Sequence, residues 1–392
     1  MKSFCSFVVA MLFAASADAA VTVPVEIDMR AEIEAGRFDP VRDSVGVRGS
    51  QLPLSWQQPV LAQARGDGRY AAKLRFDRVP FGGQAVQYKF RIERAGQGPD
   101  AGWEQGRNHP LFLDRPAPRI ARGFGAVAEV VPPRRSGHIE RLGLIPSVHV
   151  PAREVQVWLP PGYAQSGAQR RPVLYLLDGQ NVFDAAAAGA EWQVDETAQR
   201  LALAGEIDAP IIVAIDSGRD RIAEFTPTAM TMNGIRAGGG AAAYARFVVE
   251  ELKPMIDRRY RTRADAASTA IGGSSLGGLL SLWLALHRSD VFGAALVVSP
   301  SLWWDDGFAL RDVQATSATF SRPRLWLSIG ALESERALPE TRRVRDALRA
   351  RGWSDATLTY VEAADGSHDE ASWAAHVEAM LRFLYGRPSA AR

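Results

Sequence analysis

Cysteine is almost missing from this chain: of 392 residues one is Cys5, inside an N-terminal stretch read below as a removable leader. The chain after that leader is therefore expected to have neither disulfides nor thiol chemistry. Histidine is nearly as sparse, with six scattered residues, no H-E-x-x-H and no Cys/His cluster, so no metal site is expected. Charge of one sign is also lacking, because 46 Lys and Arg face 44 Asp and Glu for a net charge of +2. No basic run interleaved with aromatics occurs, which excludes a nucleic-acid partner. Phosphate-cradling and dinucleotide glycine patterns are absent from strand-to-helix settings, so no cofactor is expected. Beyond the first residues no segment is long and apolar enough to span a bilayer.

Present in normal amounts are hydrophobic residues, 47%, and charged residues, 23%, the composition of a globular protein. The length exceeds one usual core and implies two domains. Residues 1–20 read as a secretory signal: Lys2 starts it, Phe4 to Ala15 is a short apolar core, and Ala17-Asp18-Ala19 has the small-x-small form cut by signal peptidase. The expected location is periplasmic or secreted, with no membrane association after cleavage.

Residues 21–114 carry the alternation of a small all-β unit. Val86, Tyr88, Phe90 and Ile92 alternate with Gln87, Lys89 and Arg91, and Tyr70, Ala72, Leu74 and Phe76 repeat the pattern after the turn Gly66-Asp67-Gly68. One face is expected to pack and the other to be wet. Residues 115–137, with Pro116, Pro118, Pro132 and Pro133, read as a linker. From 138 to 392 continuous apolar strands alternate with helical stretches, the pattern of an α/β fold with a mostly parallel sheet. The expected strands are 155–159, 173–177, 211–215, 268–271, 294–298, 325–329 and 358–361; the main helices are 195–203, 242–256, 276–286, 341–351 and 370–385.

Within the second unit Gly273-Ser274-Ser275-Leu276-Gly277 fits G-x-S-x-G between a strand and a helix. That context makes Ser275 the candidate nucleophile: the sharp turn exposes its hydroxyl, the glycines leave room for strained backbone, and the Leu276 N–H lies where an oxyanion forms. A serine hydroxyl needs a base. Five histidines lie in the β unit, in the linker region, before the first strand of the second unit or on helices, whereas His368 sits in the loop Asp365-Gly366-Ser367-His368 after the last strand, which makes it the candidate base. The acid that orients the imidazole is expected after strand 325–329, where Glu333 is the first choice and Glu335 the alternative.

Two resemblances add to this. The segment 21–114 resembles β-sandwich modules of the starch-binding type through FDPVRDSVGVRGS, Trp56, GDGRYAAKLRF, VQYKFRI and Trp103-Glu104. Such a resemblance implies carbohydrate as a partner, with Trp56 and Trp103 as stacking candidates; a spacer or an active-site wall is the competing role. Residues 136–386 resemble the esterases grouped with esterase D and the enterochelin esterases through PPGY, VLYLLDGQNVFD, EWQVDET, AIDSGRDRIAEFTP, GGSSLGGL, SPSLWWDD and GSHDEASW. That resemblance implies an α/β-hydrolase fold and serine ester hydrolysis, with Ser275 as nucleophile, His368 as base, and Gly179 and Gln180 as the second half of the oxyanion hole. Trp303 and Trp304, after a strand end, are expected as an aromatic wall, and Arg219 and Arg221 as contacts for an anionic group. The substrate so implied is a siderophore-type or aromatic small-molecule ester, or a feruloyl or acetyl ester linked to polysaccharide. A carbohydrate-binding protein with an inactive hydrolase domain is the rival of a different class.

Overall fold

The structure is a computed structural model that describes residues 20–387 apart from 57, 78, 80–84, 98–100, 106–107, 127–134, 186–189, 219, 233–234 and 318–320. The expected leader therefore lies outside the described residues, save Ala20. No helix among those residues is long and apolar enough to cross a membrane.

The N-terminal unit is two four-stranded sheets. One runs in the order Gln63–Ala64, Arg69–Phe76, Val21–Asp28, Ile120–Gly123; the other runs Val60–Leu61, Ser44–Gly49, Val86–Glu93, His109–Leu111. Their inner faces form one apolar core that includes Val23, Val25, Val45, Leu74, Phe76 and Phe90. The strand Ile120–Gly123 falls inside the stretch expected as linker; Val25 to Asp28 pair with it in parallel. The wet face expected on Val86–Glu93 is not wet either. Gln87 and Arg91 are buried, because Glu93 and Trp103 cover the middle of that face and the second unit closes over its start.

The second unit is built on eight strands: β1 His138–Ile145, β2 Arg153–Leu159, β3 Val173–Leu177, β4 Ile211–Ile215, β5 Thr269–Ser274, β6 Ala294–Val298, β7 Arg324–Gly330 and β8 Leu358–Ala363. They lie in the order β8-β7-β6-β5-β3-β4-β2-β1. All neighbours from β4 to β8 pair in parallel, while β2 is antiparallel to both β4 and β1. The central strands β3, β4, β5 and β6 are buried along their whole length, as expected for a sheet with helices on both faces. Two apolar cores, one on each face, hold those helices.

Several elements differ from the sequence expectation. The edge strand β1 was not expected; it is only half-buried, so it carries no apolar run. The helix expected from 242 to 256 runs in helical segments from Ala241 to Arg259, and a wide turn over Phe247–Leu252 accommodates Pro254 at the start of the last segment. The last helix is two, Glu370–Ala374 and Val377–Tyr385, separated by a break at Ala375 and His376.

Candidate active site

At the end of β5 the chain turns into the helix Leu276–His287 through Ser275, whose backbone sits at φ 59°, ψ −122°, a conformation that L-residues rarely adopt. A Cβ on Gly273 would lie 2.9 Å from the Gly277 carbonyl carbon, so the turn closes only because that side chain is missing. The Ser275 N–H donates to the Val298 carbonyl at 3.1 Å, and the Ser301 N–H donates to the Ser275 carbonyl at 3.0 Å. Both bonds tie the turn to the end of β6. Leu276, as the first helical residue, has no intrahelical acceptor for its N–H. The Ser275 hydroxyl is 3.2 Å from that of Ser301.

The Glu333 and His368 loops leave β7 and β8 side by side. A Cβ on Gly330 would lie 2.3 Å from the Gly366 carbonyl oxygen, so these two backbones touch, and the Leu332 N–H donates to that same oxygen at 2.9 Å. This contact brings the Glu333 Oε2 to 2.7 Å from His368 Nδ1. The other carboxylate oxygen accepts from the Ser299 hydroxyl at 2.5 Å and from the Gly330 N–H at 2.8 Å. Ser299 is held in turn by the Trp373 indole N–H at 2.9 Å. The Glu333 side chain is 5% exposed, that of His368 41%. Glu335, the alternative, is exposed, and no hydrogen bond or ion pair to it occurs among the described residues. Loss of water lowers the affinity of His368 for a proton, but the Glu333 hydrogen bond and charge outweigh this and raise its pKa above the ordinary value.

After β3 the chain passes through Asp178, in left-handed conformation, into the 3-10 turn Gly179–Asn181. A Cβ on Gly179 would lie 2.6 Å from the Ile215 nitrogen, so the turn hugs the end of β4. Its first N–H groups, on Gly179 and Gln180, have no acceptor within the turn. The Gln180 side chain is clamped, donating to the Ser217 hydroxyl at 2.9 Å and accepting from the Ser217 N–H at 3.0 Å.

Ser275, His368 and Gln180 line one open cleft of about 320 Å³. Trp192 and Trp373 line it as well, with ring centroids 5.6 Å apart, and the His368 ring meets Trp373 edge-on at 5.3 Å. Ser50, Trp56, Gln87 and Asn108 of the N-terminal unit complete the lining. The aromatic wall is therefore not the one expected. Trp304 is buried in the core, where its indole N–H donates to the Thr228 carbonyl, and Trp303, 43% exposed, packs on Trp304 without reaching this cleft. Arg221 does line the cleft, but its guanidinium is spent on Asp178 through two hydrogen bonds of 2.6 Å. Arg219 lies outside the described residues.

Asn181, Glu370, Trp192 and Trp373, for which the sequence predicts no role, all line the cleft. The available signal was that all four lie inside the DGQN, EWQVDET and GSHDEASW motifs. Glu370 accepts from the Asn181 amide at 2.9 Å, and burial pushes its pKa to about 7. Among the described residues one carboxylate group is tight enough to hold a cation, Glu191, Asp195 and Glu196, with ligand atoms within 4.8 Å of one another. Burial first, and Glu196 beside it, raise the pKa of Asp195, so a shared proton accounts for the close approach without an ion.

A family model described as "Putative esterase" matches residues 151–384, more than half of the chain. The chain belongs to that esterase family. It is a carboxylic-ester hydrolase of α/β-hydrolase fold. The ferri-bacillibactin esterase BesA of Bacillus subtilis is 34% identical over 41% of this chain and 60% of its own. The siderophore triacetylfusarinine C esterase of Aspergillus fumigatus is 30% identical over 43% of this chain and 59% of its own. The chain thus spans about three fifths of the length of those two relatives. The enterobactin esterase FES of Shigella flexneri superposes with a TM-score of 0.59 at 18% identity, covering 88% of each chain. That likeness of fold extends over the N-terminal β unit of this esterase too.

Proposed function

We propose that the esterase works through an acyl-enzyme on Ser275. The Ser275 hydroxyl attacks the ester carbonyl as His368 takes its proton at Nε2, and Glu333, bound to Nδ1, holds the tautomer and stabilises the imidazolium. Charge that develops on the carbonyl oxygen is met by the N–H groups of Leu276, Gly179 and Gln180. The proton on His368 then goes to the alcohol as it leaves. Water enters, gives its proton to His368 and attacks the acyl group, which releases the carboxylic acid and restores Ser275.

The observation that carries this reading is the buried Glu333 carboxylate, 2.7 Å from the His368 Nδ1, on the cleft that Ser275 opens into. An inactive hydrolase domain would need none of the hydrogen bonds that hold this carboxylate in place. Fluorophosphonate labelling followed by peptide mapping tests the reading without knowledge of the substrate. The expected result is a single adduct on Ser275, lost in His368→Ala; an adduct on Ser274, or none, would overturn it. The siderophore esterases among the relatives support a siderophore-type ester as substrate, and the leader-like residues 1–20 support a periplasmic or secreted location. An acetyl or feruloyl ester on polysaccharide is the second reading, favoured by the side-chain amides of Gln87, Asn108, Gln180 and Asn181 in the lining of the cleft.

A further inference from the structure

The roof of the cleft belongs to the N-terminal unit, and its chemistry is specific. Gln87 is 4% exposed, yet among the described residues its Oε1 has no hydrogen-bond partner, and its Nε2 makes one long bond, 3.4 Å, to the Ala85 carbonyl. Its backbone is fixed all the same, since the Gln87 N–H donates to the Ser50 hydroxyl at 3.0 Å. On the hydrolase side, Asn181 gives its amide N–H to Glu370 and keeps an Oδ1 without a partner. An unpaired acceptor shut away from water is destabilising, so a site that keeps two of them is short of donors until something enters.

Charge narrows the identity of what enters. Among the described residues that line the cleft, Arg221 is the one permanent cation and Asp178 neutralises it, while Glu370 adds a carboxyl. An anion would bring further acceptors to acceptors and negative charge to a carboxylate. An uncharged group that bears hydroxyls brings donors instead. Trp56 lines the same roof, and an indole is a side chain that can cover the C–H side of a saturated ring.

We propose that Ser50, Trp56, Gln87 and Asn108, facing Asn181 and Glu370, form a subsite for the uncharged, hydroxyl-bearing alcohol of the ester, a sugar or cyclic polyol. The N-terminal unit is then a wall of the active site and the part that selects the alcohol. This rests on the acyl-enzyme reading, because the subsite is defined by its position beside Ser275.

Three acetate esters test it, since they form the same acyl-enzyme and differ only in the alcohol: 4-nitrophenyl acetate, a ring-acetylated methyl glucopyranoside, and the matching ring-acetylated methyl glucuronide, which carries a carboxylate. The expected result is a kcat/KM at least tenfold higher for the glucopyranoside ester than for the glucuronide ester. Gln87→Leu and Trp56→Ala should each lower kcat/KM for the glucopyranoside ester about tenfold, mainly through KM, and by at least fivefold more than for 4-nitrophenyl acetate. Equal losses on all three esters, no loss on any, or preference for the glucuronide overturns the proposal. Absence of Ser275 labelling in the parent overturns the acyl-enzyme reading instead. The subsite is then still tested by titrating methyl glucopyranoside and following tryptophan fluorescence, with Gln87→Leu expected to weaken binding about tenfold and unchanged binding overturning the proposal.

Discussion

Glu333 rather than Glu335 meets His368 because the Gly330–Gly366 contact leaves room for only a short reach, and Glu333 turns back onto the Gly330 N–H as it makes that reach. Glu333→Gln keeps the shape but removes the charge that stabilises the imidazolium and leaves the tautomer unspecified. The turnover rate on 4-nitrophenyl acetate should fall by about a hundredfold or more, while Glu335→Gln should stay near the parent rate. The pH dependence carries a sign that can be worked out. In the proposed mechanism only neutral His368 accepts the serine proton, and its pKa is raised above the ordinary value of about 6.5, so kcat/KM should rise with pH through a midpoint above that value. Below the midpoint the imidazolium is paired with Glu333 and the enzyme is idle. Because Glu333 is the largest source of the upward shift, ahead of Glu370 and Asp369, the residual activity of Glu333→Gln should show its midpoint at lower pH. A midpoint that stays put, measured on the same ester, would remove Glu333 from contact with the base.

Elements with a strong periodic signal were readable from sequence: β3, β4 and β6 match their expected bounds residue for residue, since strands buried on both faces are unbroken apolar runs. So was the Ser275 turn, where strand, glycine and helix follow one another in eight residues, and so was the meeting of the loops after β7 and β8, because strand ends dictate where loops can meet, although between Glu333 and Glu335 the sequence left the choice open. The edge strand β1 and the roof over the cleft were not. Neither leaves a periodic mark, and the burial of Gln87 comes from a unit folded dozens of residues away. The 3-10 turn after β3 shows how an element can act on chemistry without a reactive side chain. A methyl group on Gly179 would collide with the Ile215 backbone and push the turn off the end of β4, carrying the Gly179 and Gln180 N–H groups with it. Loss of one such donor costs about a hundredfold to a thousandfold in kcat. Gly179→Ala should therefore lower kcat at least tenfold while KM changes little, and steady-state kinetics on 4-nitrophenyl acetate read both. A change confined to KM would mean that this turn binds the substrate and does not hold the oxyanion.

At the scale of the whole molecule the question is whether the two units are separable, and the answer depends on where the chain is cut. Ser136 is already anchored in the hydrolase unit: its N–H donates to Asp195 at 2.5 Å and its carbonyl accepts from the Trp158 indole at 2.9 Å, while Arg135 pairs with Asp184. A cut at Ser136 would place a new ammonium group against the buried Asp195, so a chain beginning at Pro132 is the better division. The Ser275 turn, the Glu333–His368 pair and the Gly179 turn all lie beyond that point and make their hydrogen bonds within the hydrolase unit. The shortened chain should therefore fold and take the fluorophosphonate label on Ser275 at a rate within a few-fold of the parent. What it loses is the roof, with Gln87 and Trp56, so KM for the glucopyranoside ester should rise at least tenfold and the preference over the glucuronide ester should disappear. If the shortened chain keeps that preference, the selection resides in Asn181 and Glu370 alone. If it loses labelling and esters of every kind together while its circular dichroism remains that of a folded α/β protein, the N-terminal unit shapes the catalytic groups themselves and is more than a wall beside them.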